Sequence, residues 1–193
     1  SLPEELGLGP RLHASWVAAW ERWHPRALAA DPRADLEELA SLGGHLSVPG
    51  DADGPEELAA LVTRAPHALW VLGTMPSTPR VAVVGARAAT HYGESVAGDL
   101  ALELAEHGVD LVSGGAFGID AAVHRGALAL QGGHTTAVMA GGVARPYPQA
   151  HAELLAQVAR HGALVSEVPP SWRPAKWRFL GRNRAIAALS HVP

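Results

Sequence analysis

Through the second half of the chain, short apolar runs alternate with longer segments of mixed polarity. Val81-Ala82-Val83-Val84, Leu111-Val112, Thr135 to Met139 and Ala163-Leu164-Val165-Ser166 have the length and apolar character of strands buried on both faces. Thr90 to His107, Gly118 to Leu130, His151 to His161 and Arg182 to Leu189 carry helical patterns instead. Four strands, each followed by a helix, predict an α/β fold with a parallel sheet, right-handed crossovers and helices on both faces. Leu69-Trp70-Val71-Leu72 is a candidate for one further strand.

The first third of the chain follows a different pattern. Trp16, Trp20 and Trp23 recur at i, i+4 and i+7, which places three indoles on one helix face and predicts a core-facing stripe. Asp31-Pro32 reads as an N-cap and first helical residue, opening a second helix through about Ala40. Asp53-Gly54-Pro55-Glu56-Glu57 repeats that start signal ahead of Leu58 to Val62. The expected division is a short helical N-terminal segment over 1–45 and an α/β domain over 46–193. Ser190-His191-Val192-Pro193 stands where another strand is expected to begin, so the domain reads as truncated at its C-terminal end.

In an open parallel sheet, ligands bind beyond the carboxyl ends of the strands. Those ends read Gly85-Ala86-Arg87, Ser113-Gly114-Gly115, Ala140-Gly141-Gly142 and Ser166-Glu167. The run Ser113-Gly114-Gly115-Ala116-Phe117-Gly118-Ile119-Asp120, closed by His124, is the most telling. A strand that enters a glycine-rich turn and opens a helix leaves N–H groups pointing outward at the positive end of a helix dipole, which suits an anion such as phosphate. The alternative is that the glycines only permit a tight turn and close packing. Arg87 would add a forked cation beside the rim or serve as a structural ion-pair partner. Asp120 and His124 lie at i, i+4 near Ser113, and they read as loop supports better than as members of a catalytic triad, since no G-x-S-x-G turn occurs.

Composition removes several classes of function. The chain has no cysteine, so disulfides, thiol catalysis and Cys-ligated metals are absent. Its one lysine, Lys176, follows Ala175, and no G-x-x-x-x-G-K-[ST] is present. The first strand ends in Gly-Ala-Arg where a dinucleotide site needs G-x-G-x-x-G. The 11 histidines show neither H-x-H nor H-E-x-x-H spacing. No cofactor or metal is expected. No stretch has the ~20 apolar residues of a membrane span and no signal-peptide pattern opens the chain, so a cytoplasmic location is expected.

The net charge of −4 conceals a division. Residues 1–60 hold 11 acids and 4 bases, whereas 61–193 hold 8 acids and 11 bases. Within 171–187 there are five bases and no acid: Arg173, Lys176, Arg178, Arg182 and Arg184. Trp172, Trp177 and Phe179 are interleaved with them. Cations neutralise phosphates while rings stack bases, so this segment fits a single-stranded nucleic-acid groove. The other reading keeps the rings buried, with the bases merely flanking them.

Together these motifs resemble the DNA-processing protein A (DprA/Smf) family. The resemblance rests on Val-Gly-Ala-Arg at 84–87 with Thr90 and Tyr92-Gly93, the 113–120 turn with His124, and Ala137 to Gly142. It continues through Tyr147-Pro148, Ser166-Glu167 with Pro169, Phe179 with Arg182-Asn183-Arg184, and Ile186-Ala187. It spans about 80–193, with a weaker extension back to about 46. It implies an extended Rossmann-like fold, binding of single-stranded DNA, loading of the RecA recombinase during natural transformation or recombination, a possible homodimer, and no enzymatic activity. It also implies that Arg87, Gly114, Gly115, Ala116, Gly118, Lys176, Phe179, Arg182, Asn183 and Arg184 line the DNA pocket. Leu180 departs from the proline common in the family and so puts the geometry of a Phe179 loop in question. The rival is a nucleotide-cleaving enzyme of the lysine-decarboxylase-like fold. Its P-G-G-x-G-T-x-x-E turn is not matched here, because Gly114 to Ile119 carries an extra residue and no following glutamate.

Overall fold

The computed structural model describes residues 10–51 and 54–191. Contacts divide the chain between Ala34 and Asp35 into two compact units. The smaller unit holds helix α1 (Pro10–Leu28), and the next helix, α2 (Pro32–Ser41), begins near the division. Asp31 caps α2 as its sequence predicts: the Ala34 N–H donates to its Oδ1 at 3.0 Å. The tryptophan stripe departs from expectation. Trp16, Trp20 and Trp23 are exposed; the Trp20 ring stacks on His24 at 4.4 Å, and Arg26 lies over Trp23. Helical spacing shows which residues share a face, not what covers that face.

The larger unit is built on a six-stranded sheet. In chain order its strands are β1 (His45–Ser47), β2 (Leu69–Gly73), β3 (Arg80–Ala82), β4 (Asp110–Ser113), β5 (Thr135–Met139) and β6 (Ala163–Ser166). Across the sheet they run β1-β2-β6-β5-β4-β3. The four strands read from the sequence form the parallel core, in sequential order. β2, the candidate strand, pairs antiparallel with β6, and β1 pairs antiparallel with β2. β1 has only three residues and left no signal in the sequence. A 3₁₀ segment, Glu56–Arg64, stands where the second start signal pointed, although Asp53 lies outside the described residues.

Sequential strand order explains where the helices lie. Right-handed crossovers stepping in one direction put α3 (His91–Glu106), α4 (Ile119–Ala129) and α5 (Ala152–His161) on a single face. There Leu111 packs on Ala101, Val123 and Ala127, while Ala137, Met139 and Leu164 pack on Leu155 and Val158. The other face carries Val71, Val112, Val138 and Val165. It is covered by Leu58 of the 3₁₀ segment and by Ala185, Ile186 and Leu189 at the end of α6 (Lys176–Ala188). Alternate residues of each strand thus serve opposite faces. α6 begins six residues earlier than its pattern predicts, so Lys176 and Phe179 stand on a helix and not on a loop. No helix among the described residues is long and apolar enough to cross a membrane.

Two buried titratable groups set opposite dependences of stability on pH. Asp110, at the start of β4, accepts a hydrogen bond from the Thr136 hydroxyl at 2.8 Å, and burial pushes its carboxyl up to about 6. His124 is fully enclosed, and burial, helped by nearby Arg182, lowers it to about 3. Asp110 therefore contributes stability below about pH 4 that is lost as pH rises through 6. His124 contributes stability above about pH 6.5 that is lost as pH falls toward 3. Asp110→Asn keeps the acceptor for Thr136 and removes one of the two. Denaturant unfolding across pH 3–8 should show the variant gaining on the wild type as pH rises from about 4 to 6. The gain should reach roughly 3 kcal/mol and then stay level.

Candidate nucleic-acid interface

The carboxyl ends of the parallel strands and their following turns form one rim. Ser113 ties two of them, donating its hydroxyl to the Val83 carbonyl at 2.7 Å. The 114–118 turn then rests on the 86–87 turn. Gly118 has φ +72°, and a Cβ there would strike the Ala86 and Arg87 carbonyls, so only glycine fits. The Ile119 N–H closes the contact by donating to the Ala86 carbonyl at 3.2 Å.

Three side chains, those of Asp120, His151 and Arg182, bond the turn. Asp120 accepts from the Ala116 N–H at 3.3 Å. His151 is buried and donates from Nδ1 to the Gly115 carbonyl at 3.1 Å, while the Phe117 ring meets it edge-on at 4.6 Å. His124 joins Thr135 at 2.8 Å. Because the Thr135 hydroxyl gives its proton to the Leu111 carbonyl, His124 Nδ1 is the donor and its Nε2 carries no proton. Ser113 and His124 are thus committed to different partners and share no hydrogen bond. Asp120 thus touches the turn itself, while His124 is tied to Thr135 of β5.

Arg182 is the third support. It is buried beneath the turn, where it donates to the Gly114 carbonyl at 2.6 Å and to the Val138 carbonyl, with Asp120 Oδ2 3.8 Å away. Burial pulls its guanidinium below the ordinary arginine value; the Asp120 charge opposes that shift and Arg87 adds to it. A Cβ on Gly114 would occupy the space of this guanidinium.

α6 sorts the remaining candidates by helical geometry. Lys176, Phe179 and Asn183 fall at i, i+3 and i+7 and make one stripe. Phe179 faces the rim, with the Arg87 guanidinium 4.9 Å above its ring and Tyr147 5.6 Å away. A shallow cleft of about 50 Å³ lies between Arg87, Gly114, Ala116, Phe117, Tyr147 and Phe179. Arg87 and Lys176 are exposed, and no carboxylate among the described residues forms an ion pair with either. Asn183 is also exposed and accepts from Arg182 Nε at 3.1 Å. Arg184 lies on another stripe and pairs twice with Glu167, at 2.7 and 2.5 Å. The structure therefore brings Arg87, Gly114, Ala116 and Phe179 to one cleft, with Lys176 and Asn183 on the same helix stripe as Phe179. It puts Arg182 under the turn and matches the charge of Arg184 internally. Phe117, Tyr147 and His151 were not singled out for the site from sequence. The Tyr147-Pro148 pair was visible, but its distance in sequence hid its proximity to Phe179.

Residues 45–192 match the family model of DNA recombination-mediator protein A. The chain belongs to this family. A Mycobacterium tuberculosis protein carrying the DprA name is 49% identical over 172 residues, which cover 82% of this chain and 44% of that protein. The solved structure of DNA processing protein A from Streptococcus pneumoniae is similar over 88% of this chain and 59% of its own, with a TM-score of 0.76 and 31% identity. That of Helicobacter pylori DNA processing protein A, described for its single-stranded DNA binding mode, has a TM-score of 0.65 and 28% identity over 78% of this chain and 68% of its own. This chain spans less than half the length of the curated relatives it matches.

Arg182 ought to be indispensable to this architecture. Arg182→Leu leaves Asp120 buried without its counter-charge, and unfolding should show a loss of roughly 3 kcal/mol or more. Gly114→Ala should give the same direction by displacing the guanidinium. Arg182→Lys should restore little, because one ammonium cannot replace the guanidinium fork. Equal melting temperatures for all three variants and the wild type would remove Arg182 from this role.

Proposed function

We propose that this chain binds single-stranded DNA across the rim, without strong sequence preference. The observation that carries this reading is the cleft at Arg87 and Phe179: an exposed cation, matched by no carboxylate among the described residues, over an aromatic ring beside the 114–118 turn. Arg87, Lys176 and the N–H groups of the 115–118 turn other than that of Ala116, which Asp120 holds, take phosphate oxygens, and Phe179 with Tyr147 supplies ring faces for bases. Asn183 lies at the edge of the same stripe. Arg182, Asp120 and His124 keep the turn in place, and no covalent step is assigned to them. The description of the Helicobacter pylori relative points the same way. In the full-length protein, we infer, the bound strand is handed to the RecA recombinase during recombination or natural transformation in the cytoplasm, with a homodimer as the working form.

Stacking and phosphate contacts read no base edges, so the chemistry favours unpaired strands of any sequence. Titration of labelled oligo-dT and of a duplex at low and high salt checks this. Oligo-dT should bind more tightly, and its affinity should fall steeply with salt. Equal affinity for duplex, or none of the salt effect, overturns the reading. Arg87→Ala should weaken binding about tenfold for every sequence tried, the usual effect of losing a charge-assisted contact. Phe179→Ala should cost a similar factor and leave the salt slope unchanged.

A further inference from the structure

Next to the shallow cleft lies a much larger concavity, of about 490 Å³. The two adjoin at Ala140 but take different stripes of α6. Trp177, Gly181 and Arg184, at i, i+4 and i+7, line the larger one together with Ser166 and Glu167. Its chemistry differs from that of the rim. The Glu167 carboxylate is held by Arg184, and of the two lining arginines that meet no carboxylate among the described residues, Arg178 lies against the indole rings of Trp172 and Trp177. This wall offers an indole face and hydrogen-bonding groups, which suit a flat, neutral heterocycle.

Gly181 points to an occupant. It stands in the interior of a helix, where glycine is less stable than alanine. Its φ is not positive, and a Cβ there would meet nothing within 4 Å. Neither backbone conformation nor packing therefore asks for glycine. What the missing side chain leaves is open space over the helix backbone, one turn after Trp177. The Trp177 ring is 69% exposed, yet it is not loose: the Arg178 guanidinium stands 4.9 Å from it and 5.0 Å from Trp172, and is itself held by the Arg173 carbonyl at 2.6 Å. An exposed ring backed by a stacked guanidinium, beside a bare stretch of helix, is a preformed platform.

We propose that this concavity is a second base subsite. A nucleobase of the same DNA strand, farther along from the phosphate held at Arg87, stacks on Trp177 above the backbone of Gly181. The proposal rests on the single-strand reading of the rim. It makes α6 a saddle, with Phe179 serving one base on one side and Trp177 serving another on the other side.

Affinities of the intact chain for short and long oligo-dT, with dTMP as competitor, test the subsite. Trp177→Ala and Gly181→Leu should each lower affinity for the long strand about tenfold, the loss expected for one stacked base. Both should leave unchanged the affinity for a strand too short to reach beyond Phe179. Gly181→Ala should bind as the wild type does and melt at a higher temperature, and Gly181→Leu should melt no lower than the wild type. If both variants hold the long strand as the wild type does while Arg87→Ala still releases it, the subsite is refuted and the rim stands. Equal losses for short and long strands, or displacement of the long strand by dTMP as effectively as by unlabelled long oligo-dT, also overturn it. Failure of the wild type to bind either strand removes the reading on which it rests.

Discussion

The buried guanidinium of Arg182 is the point at which the parts of this fold that make a site are joined. It comes from α6, on one face of the sheet, and reaches the Gly114 carbonyl after β4, the Val138 carbonyl in β5 and the Asp120 carboxylate in α4. A charge so enclosed is costly unless it is matched, and that cost is what confines it to one arrangement. Gly114 must lack a side chain because this group occupies the space. Asp120, held near the guanidinium, keeps the turn in shape by accepting from the Ala116 N–H. The same anchor fixes where α6 lies, and with it the placing of Phe179 under Arg87.

Around that anchor the charges divide by burial. The arginines that the fold itself uses are paired: Arg80 with Glu57, Arg182 with Asp120, Arg184 with Glu167. Arg87 and Lys176, at the open rim, meet no carboxylate among the described residues, and neither do Arg64, Arg173 and Arg178. A local excess of positive charge on a chain of net charge −4 is therefore a consequence of which basic residues the interior has already matched.

Much of the architecture was legible in the sequence, for identifiable reasons. β5 and β6 begin and end where their apolar runs do, and the N-cap at Asp31 was readable from two residues. The antiparallel edge was not, because β1 has only three residues and strand direction depends on partners distant in sequence. The start of α6 was hidden for another reason: Trp172 to Phe179 alternate cations and rings, a pattern that carries no helical apolar stripe. The turn and Arg87 were singled out from local chemistry, whereas the proximity of Tyr147 to Phe179 and of His151 to Gly115 exists only in the folded chain.

Five bases within 171–187 look equivalent when read along the chain. Composition and spacing determined that this chain would form a parallel α/β core with glycine-rich turns at its strand ends, and that cations and rings would cluster after the last strand. Only the tertiary structure decided which of those cations are free. A helix sends residues i, i+3 and i+7 to one side and their neighbours elsewhere. So Lys176 shares the rim-facing stripe of Phe179, Arg182 is buried beneath the turn, and Arg184 meets Glu167. The residue types come from sequence, but their charge is assigned by burial and by partners that lie far away along the chain.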